Sequence, residues 1–294
     1  MKHICPLIIL LLIGVCAASC KNNPEKKQEE AQFRLKSFKI DRQISSRDDS
    51  LKSVLCSLEY DGQGRLLVYN EDSLHYTFDY SDSPGRIVTA CISQKDSSVV
   101  SSGVVTTRAD GAFVREEKHY QKRGGAAGST TTISTYAHNE QGRLLHFRQN
   151  GASLSAVNYP DTMDLALNWG DEGNVKEVRM TTVYPDEART LICTVEYMDE
   201  EMPFHFYPEA YTVFGMGIEF GVTGINGYSR KNLLKRIAIR LDGDERPYLA
   251  FDFVYQYDAG GKLTEYLMKI VKMSTADGSV MPADDYIRYY DFTY

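Results

Sequence analysis

Long apolar runs are nearly missing from the 294 residues. Beyond the N-terminal stretch Ile4–Val15, nothing approaches the ~20 apolar residues a spanning helix needs. Cysteine is scarce as well. Six are present, and Cys56, Cys91 and Cys193 lie far from the N-terminus in no paired spacing, so neither a disulfide framework nor a Cys-based zinc site is expected. Each sits in an apolar, strand-like run (VLCSL, TACIS, LICTV) and reads as a buried structural thiol, with a Cys56–Cys91 bridge left open. Basic excess is absent: the formal charge is -7, which argues against nucleic acid as a partner.

The signatures of common chemistry are missing too. There is no Gly-x-Ser-x-Gly elbow, no Ser-x-x-Lys and no His-Glu-x-x-His. Gly215-Met-Gly217-Ile-Glu-Phe-Gly221 misses the dinucleotide fingerprint by one position and has no βαβ context. His75, His119, His138, His146 and His205 are scattered without metal-site spacing, and Asp242-Gly243-Asp244-Glu245 is explained by a polar hairpin turn without Ca²⁺. No catalytic residue, metal site or cofactor is expected. A hydrolase with a non-local site stays open, because convergent carboxylates or a Ser-His pair are visible only in a fold.

What is present begins at the N-terminus. Met1-Lys2-His3, an apolar core broken only by Pro6 and Gly14, and the small residues before Cys20 have the parts of a signal peptide over residues 1–19. Ala17-Ala18-Ser19-Cys20 resembles a bacterial lipobox, departing from it in having Ala17 where Leu is preferred. That resemblance implies cleavage before Cys20, acylation of its sulfur, and a membrane partner engaged only through the lipid. Losing Lys2 moves the formal charge from -7 to -8. Residues 20–32 then form a polar tether: Lys21–Gln32 has no apolar residue but Ala31.

The rest, residues 33–294, reads as one antiparallel β domain of sixteen or seventeen strands. A unit of aromatic, polar turn, Gly and branched aliphatic recurs as Tyr60–Leu66, Tyr80–Ile87, Tyr136–Leu144, Trp169–Val175, Tyr228–Leu234 and Tyr257–Leu263. The aromatic closes one strand, and the Gly supplies the positive φ of a hairpin turn with a bulge. The aliphatic opens the next buried face. Asn232 stands in the Gly position of one copy, as the residue that best tolerates a left-handed conformation after Gly. Runs between the turns alternate with period two; in Tyr248–Asp258, Leu249, Phe251, Phe253, Tyr255 and Tyr257 share a face. The expected fold is all-β, a large meander that is barrel-like or strongly curved.

One insert, at about residues 203–227, breaks the pattern. Pro208 is placed to open a short helix through Tyr211. Phe204, His205, Tyr207, Tyr211 and Phe214, with Tyr228 just beyond, are the candidate ligand-binding residues, for a glycan, peptide or protein ligand; the plainer reading is that they cap an open end of the sheet.

The repeated unit resembles the YD repeats of Rhs-type surface proteins. With the lipobox and Gly227-Tyr-Ser-Arg-Lys-Asn-Leu233, the chain is similar to a Bacteroidetes lipoprotein family of unknown function with a porin-like β fold. That resemblance implies a barrel-like sheet at the outer membrane, facing the periplasm or the surface, and brings no catalytic residues. Asp49-Ser50-Leu51, Asp72-Ser73-Leu74 and Asp161-Thr162-Met163 resemble an O-glycosylation motif, making Ser50, Ser73 and Thr162 candidate acceptors. A true membrane barrel is the rival reading. Tyr290, Phe292 and Tyr294 resemble the terminal aromatic signal of such barrels. Charges on both faces of Ala112–Tyr120 and Asn174–Val183 oppose it.

Overall fold

The computed structural model describes residues 34–43, 53–121, 129–151, 161–201, 206–214, 231–274, 279–281 and 285–293, and Leu35–Tyr294 forms one compact unit. Its strands in chain order are β1 (Ser37–Gln43), β2 (Val54–Tyr60), β3 (Leu66–Glu71), β4 (Leu74–Ser83), β5 (Arg86–Ser93) and β6 (Val99–Thr107). Next come β7 (Phe113–Gln121), β8 (Ser129–His138), β9 (Leu144–Asn150), β10 (Thr162–Trp169), β11 (Val175–Val183) and β12 (Ala188–Glu201). A short helix, α1 (Pro208–Thr212), precedes β13 (Asn232–Leu241), β14 (Leu249–Tyr257), β15 (Leu263–Met273), the two-residue β16 (Val280–Met281) and β17 (Tyr286–Thr293).

Each strand pairs antiparallel with the next. β15 skips the short β16 to pair with β17, and β17 returns to β1. The result is a closed antiparallel barrel of 16 strands. Closure leaves no sheet edge, which accounts for a strand-rich chain of this size having no exposed ladder to template aggregation.

The repeated unit proves to be the turn at one end of the barrel. In the β2–β3 connection the Asp61 amide donates to the Arg65 carbonyl and the Gly64 amide to the Asp61 carbonyl, while Asp61 Oδ1 accepts from the amides of Gln63 and Arg65. The same backbone pair recurs at Asn139–Arg143, Gly170–Asn174 and Asp258–Lys262, and also at Arg108–Ala112, a copy that the sequence pattern does not reveal because no aromatic precedes it. Gly64, Gly111, Gly142, Gly173 and Gly261 all hold positive φ, and the ladder slips by one residue beside each turn, as a bulged hairpin requires. The aliphatic positions Leu66, Leu144, Val175 and Leu263 are buried. Gly142 is the cleanest test: a Cβ there meets nothing within 4 Å, so only its φ of 77° opposes a side chain. Gly142→Val is expected to lower stability by about 1–3 kcal/mol, read as a shift of the urea midpoint at constant slope.

In two of the units the aromatic clasps an earlier turn. Tyr80 donates its hydroxyl to the Leu66 carbonyl at 3.0 Å while the Arg65 guanidinium lies 4.2 Å from its ring centre. Trp169 repeats both contacts with Leu144 (2.7 Å) and Arg143 (5.6 Å), and the Tyr197 hydroxyl reaches the Val175 carbonyl at 2.9 Å. At Arg65-Leu66 and Arg143-Leu144 the pair after the Gly thus couples one hairpin to a later strand.

Two sequence readings need correction. Asn232 is not a left-handed turn residue; it opens β13, and among the described residues the positive-φ ones other than Gly are Asp72, Ser97 and Asp291. Asn232 is kept for its amide: it accepts from Asn174 Nδ2 and donates to the Asp199 carbonyl, while Asn174 Oδ1 takes the amides of Lys231 and Asn232. Cys56, Cys91 and Cys193 are buried thiols in no disulfide, as their apolar runs predict, and the Cys56–Cys91 bridge left open by the sequence does not form. Tyr290 and Phe292 do not share a face. Asp291, at φ 54°, is an extra residue in β17 opposite β1, and this bulge sends Phe292 into the core while Tyr290 stays on the outer wall, bonded to Asp41.

Candidate functional site

Period-two alternation gives the barrel an inner and an outer wall, and their polarity decides what the barrel is able to do. From β9 round to β3 the inner wall is apolar and aromatic: Phe147, Leu165, Val178, Ile237, Phe253, Tyr266, Met268, Tyr289, Phe38, Leu58 and Tyr69 are all buried. A ring of this many strands encloses a water-filled lumen when its inner face is polar. Here the large side chains and the described part of the insert close on one another.

That part of the insert is α1 and its flanks. Pro208 at the first helical position opens it, as the sequence predicts, and residues 206–210 and Phe214 are buried. Phe206 packs edge-on against four rings: Phe38 of β1 (5.1 Å between centres), Tyr289 and Phe292 of β17 (5.3 and 5.6 Å) and Tyr266 of β15 (5.9 Å). These are the three strands that close the ring, so Phe206 staples the seam. Glu209, fully buried in the first turn, accepts from the Tyr266 hydroxyl at 3.5 Å. Tyr207 and Phe214, two of the sequence-derived ligand candidates, are 2% and 0% exposed, within the core and away from solvent. Tyr211 lies in α1, nothing being described of its side chain; Phe204, His205 and Tyr228, like Cys20 and Ser50, lie outside the described residues. Phe206, which the sequence reading passed over, packs against four rings of the barrel wall.

Besides Glu209, polar groups reach the inner wall at several places, among them the Lys272–Asp285 pair (2.7 Å) and the two clusters that follow. Near the end away from the glycine turns, Arg42 pairs with Glu71 at 2.8 Å, and the Tyr69 hydroxyl lies 3.1 Å from Glu71 Oε2 and 3.5 Å from Cys56 Sγ. Burial pushes the Cys56 thiol up to about 12 and the Tyr69 hydroxyl well above its usual range, so both stay protonated and neither serves as a nucleophile at neutral pH. Cys193 is likewise raised to about 12 by burial.

On the opposite wall, Glu116 pairs with Lys118 at 3.1 Å and accepts from the Tyr136 hydroxyl at 3.1 Å. Beside them Thr89 Oγ1 is buried with no hydrogen-bond partner among the described residues, and it borders a void of about 10 Å³, about the space of one water molecule. These groups satisfy one another as an ion pair and its hydrogen-bonded partner. Among the described residues no group of three His, Cys, Asp or Glu side chains is arranged to hold a metal ion.

The outer wall carries ion pairs on β1, β7, β9, β10, β11, β13, β14, β15 and β17, while Val88, Ala90, Ile92 and Val104 make it more apolar at β5 and β6. Lys39 pairs with Asp291, Arg115 with Glu117, His146 with Asp164, Arg236 with Asp252 and Arg288 with Glu265. Arg179, midway along β11, reaches Asp242 in the β13–β14 turn. A shallow depression of about 290 Å³ on this wall is lined by Val104, Thr106, Arg115, Glu117 and His119. Ser73, half-buried, lies in the β3–β4 turn and gives its carbonyl to the Gln94 amide; Thr162, also half-buried, is on the outer wall with its hydroxyl on Asn150 Oδ1.

No family model matches the chain, and no curated protein does. Solved structures do. A porin-like protein from Bacteroides uniformis superposes with a TM-score of 0.54 at 15% identity, covering 88% of this chain and 97% of that one. A porin-like protein from Bacteroides vulgatus gives 0.58 at 12% identity, over 87% and 97%. At these identities the likeness is one of fold, a β-barrel shared from end to end.

Proposed function

We propose that the protein is an exported lipoprotein held at the outer membrane through Cys20, whose barrel stands in water as a binding or structural accessory of the envelope. The carrying observation is the polarity of the two walls. A membrane barrel presents an apolar band outward and lines its lumen with polar groups. This barrel reverses the pattern, with Arg115, Arg179, Arg236 and Arg288 on the outer wall and Phe147, Phe253, Tyr266 and Tyr289 inside. A basic side chain facing lipid costs about 2–4 kcal/mol at mid-bilayer, and several on different strands would oppose insertion together. The apolar inner wall and the buried insert residues also argue against conduction. The buried, protonated thiols and the occupied ion pairs favour binding or scaffolding over catalysis. An acidic chain favours a glycan, peptide or protein partner over nucleic acid.

The test is a chain beginning at Lys21, made without its leader. It is expected to stay monodisperse without detergent and to add no conductance to a planar bilayer. A requirement for detergent, or stepwise ion currents, would overturn the proposal.

A further inference from the structure

We infer that the barrel sits on the membrane by the end that carries the glycine turns, with the opposite mouth directed away from the bilayer. The inference rests on Cys20 being the lipid anchor and adds to it a direction. The repeated glycine turns, from which this end takes its name, lie together at β2–β3, β4–β5, β6–β7, β8–β9, β10–β11 and β14–β15, while Gly243 in the β13–β14 turn and Gly151 after β9 lie at the opposite end. The chain enters the barrel at that same end. Ser37 pairs with Ser57 near the close of β2, the Leu58 amide donates to the Lys36 carbonyl, and the Tyr60 hydroxyl holds the Leu35 carbonyl at 3.1 Å. The exit from the anchor is thus fixed by three hydrogen-bonded contacts rather than by a free end.

Fourteen residues, Lys21–Arg34, connect the acylated cysteine to that point. Fully extended they reach at most ~50 Å, at ~3.5 Å per residue. The wall itself is about 20–25 Å high, from tilted strands of seven to ten residues rising ~3.3 Å each. The glycine-turn end is able to lie against the bilayer without the connection having to pass the barrel wall. Bringing the other mouth to the bilayer would need the connection laid back along the whole wall, using about half its reach and ordering it.

The experiment uses the full lipidated chain in vesicles carrying a headgroup-attached energy acceptor. A donor dye is placed by Gln63→Cys or Ala259→Cys at the glycine-turn end, and by Lys95→Cys or Glu245→Cys at the other; all four positions are exposed. The native thiols are buried and leave the label to the introduced one. Transfer to the membrane is expected to be several-fold greater from Gln63→Cys and Ala259→Cys. Equal transfer from both ends, or greater transfer from Lys95→Cys and Glu245→Cys, would overturn the direction while leaving the anchor intact. A chain that never joins the vesicles, and so behaves as its Cys20→Ser control does, would instead overturn the anchor and the direction with it.

Discussion

Cys20→Ala is expected to abolish detergent-phase partitioning altogether, leaving either an uncleaved precursor or a soluble product. The reason is that the acyl chains would have no substitute. A lipid chain contributes about 0.8 kcal/mol per buried methylene, and two or three chains make an effectively stable anchor. Elsewhere the chain has little to offer a bilayer: no helix among the described residues is long and apolar enough to cross, and the outer wall of the barrel carries paired charges on many of its strands. Metabolic labelling with a fatty acid, followed by phase separation of wild type and variant, reads the effect as all or none. A Cys20→Ala product that still takes up label and enters the detergent phase would show that the lipobox resemblance had misled.

The legible parts of this fold are the local ones. A hairpin turn is decided within five residues, so Asp61, Asn139 and Asp258 followed three residues later by Gly could be read directly, and their bulges followed. Where a unit lacked its aromatic, as at Arg108–Ala112, the pattern failed though the turn is the same. Asn232 shows the opposite error, a residue of suitable type whose environment uses its side-chain amide and not its backbone tolerance. Ring closure was not legible, because β1 meets β17 across some 250 residues and no local signal pairs Lys39 with Asp291. Nor was the Asp291 bulge, without which Phe292 would point outward with Tyr290. Strand polarity suggested water on one side for β7 and β11; that Glu116 would be the buried member of β7, with Lys118 and Tyr136 as partners, depended on which neighbours closed over it.

The insert posed the hardest problem, since composition alone could make it a mobile gate or a cap, and Phe206 separates the two readings. Phe206→Ala removes a ring that is 1% exposed and touches β1, β15 and β17 at once, leaving a cavity at the seam. Such truncations cost about 3–5 kcal/mol when the surroundings cannot collapse, and the neighbours here are rings fixed on hydrogen-bonded strands. In a domain of this size the melting temperature should fall by roughly 10 °C with the strand signal of the folded state unchanged. Phe206→Leu, which restores much of the volume, should recover most of that loss. Val254→Ala, on the outer wall and 40% exposed, should change little, within about 0.5 kcal/mol. If Phe206→Ala melted with wild type, the segment would have to leave the core readily, and the gate reading of Tyr207, Tyr211 and Phe214 would gain what the buried geometry now denies it.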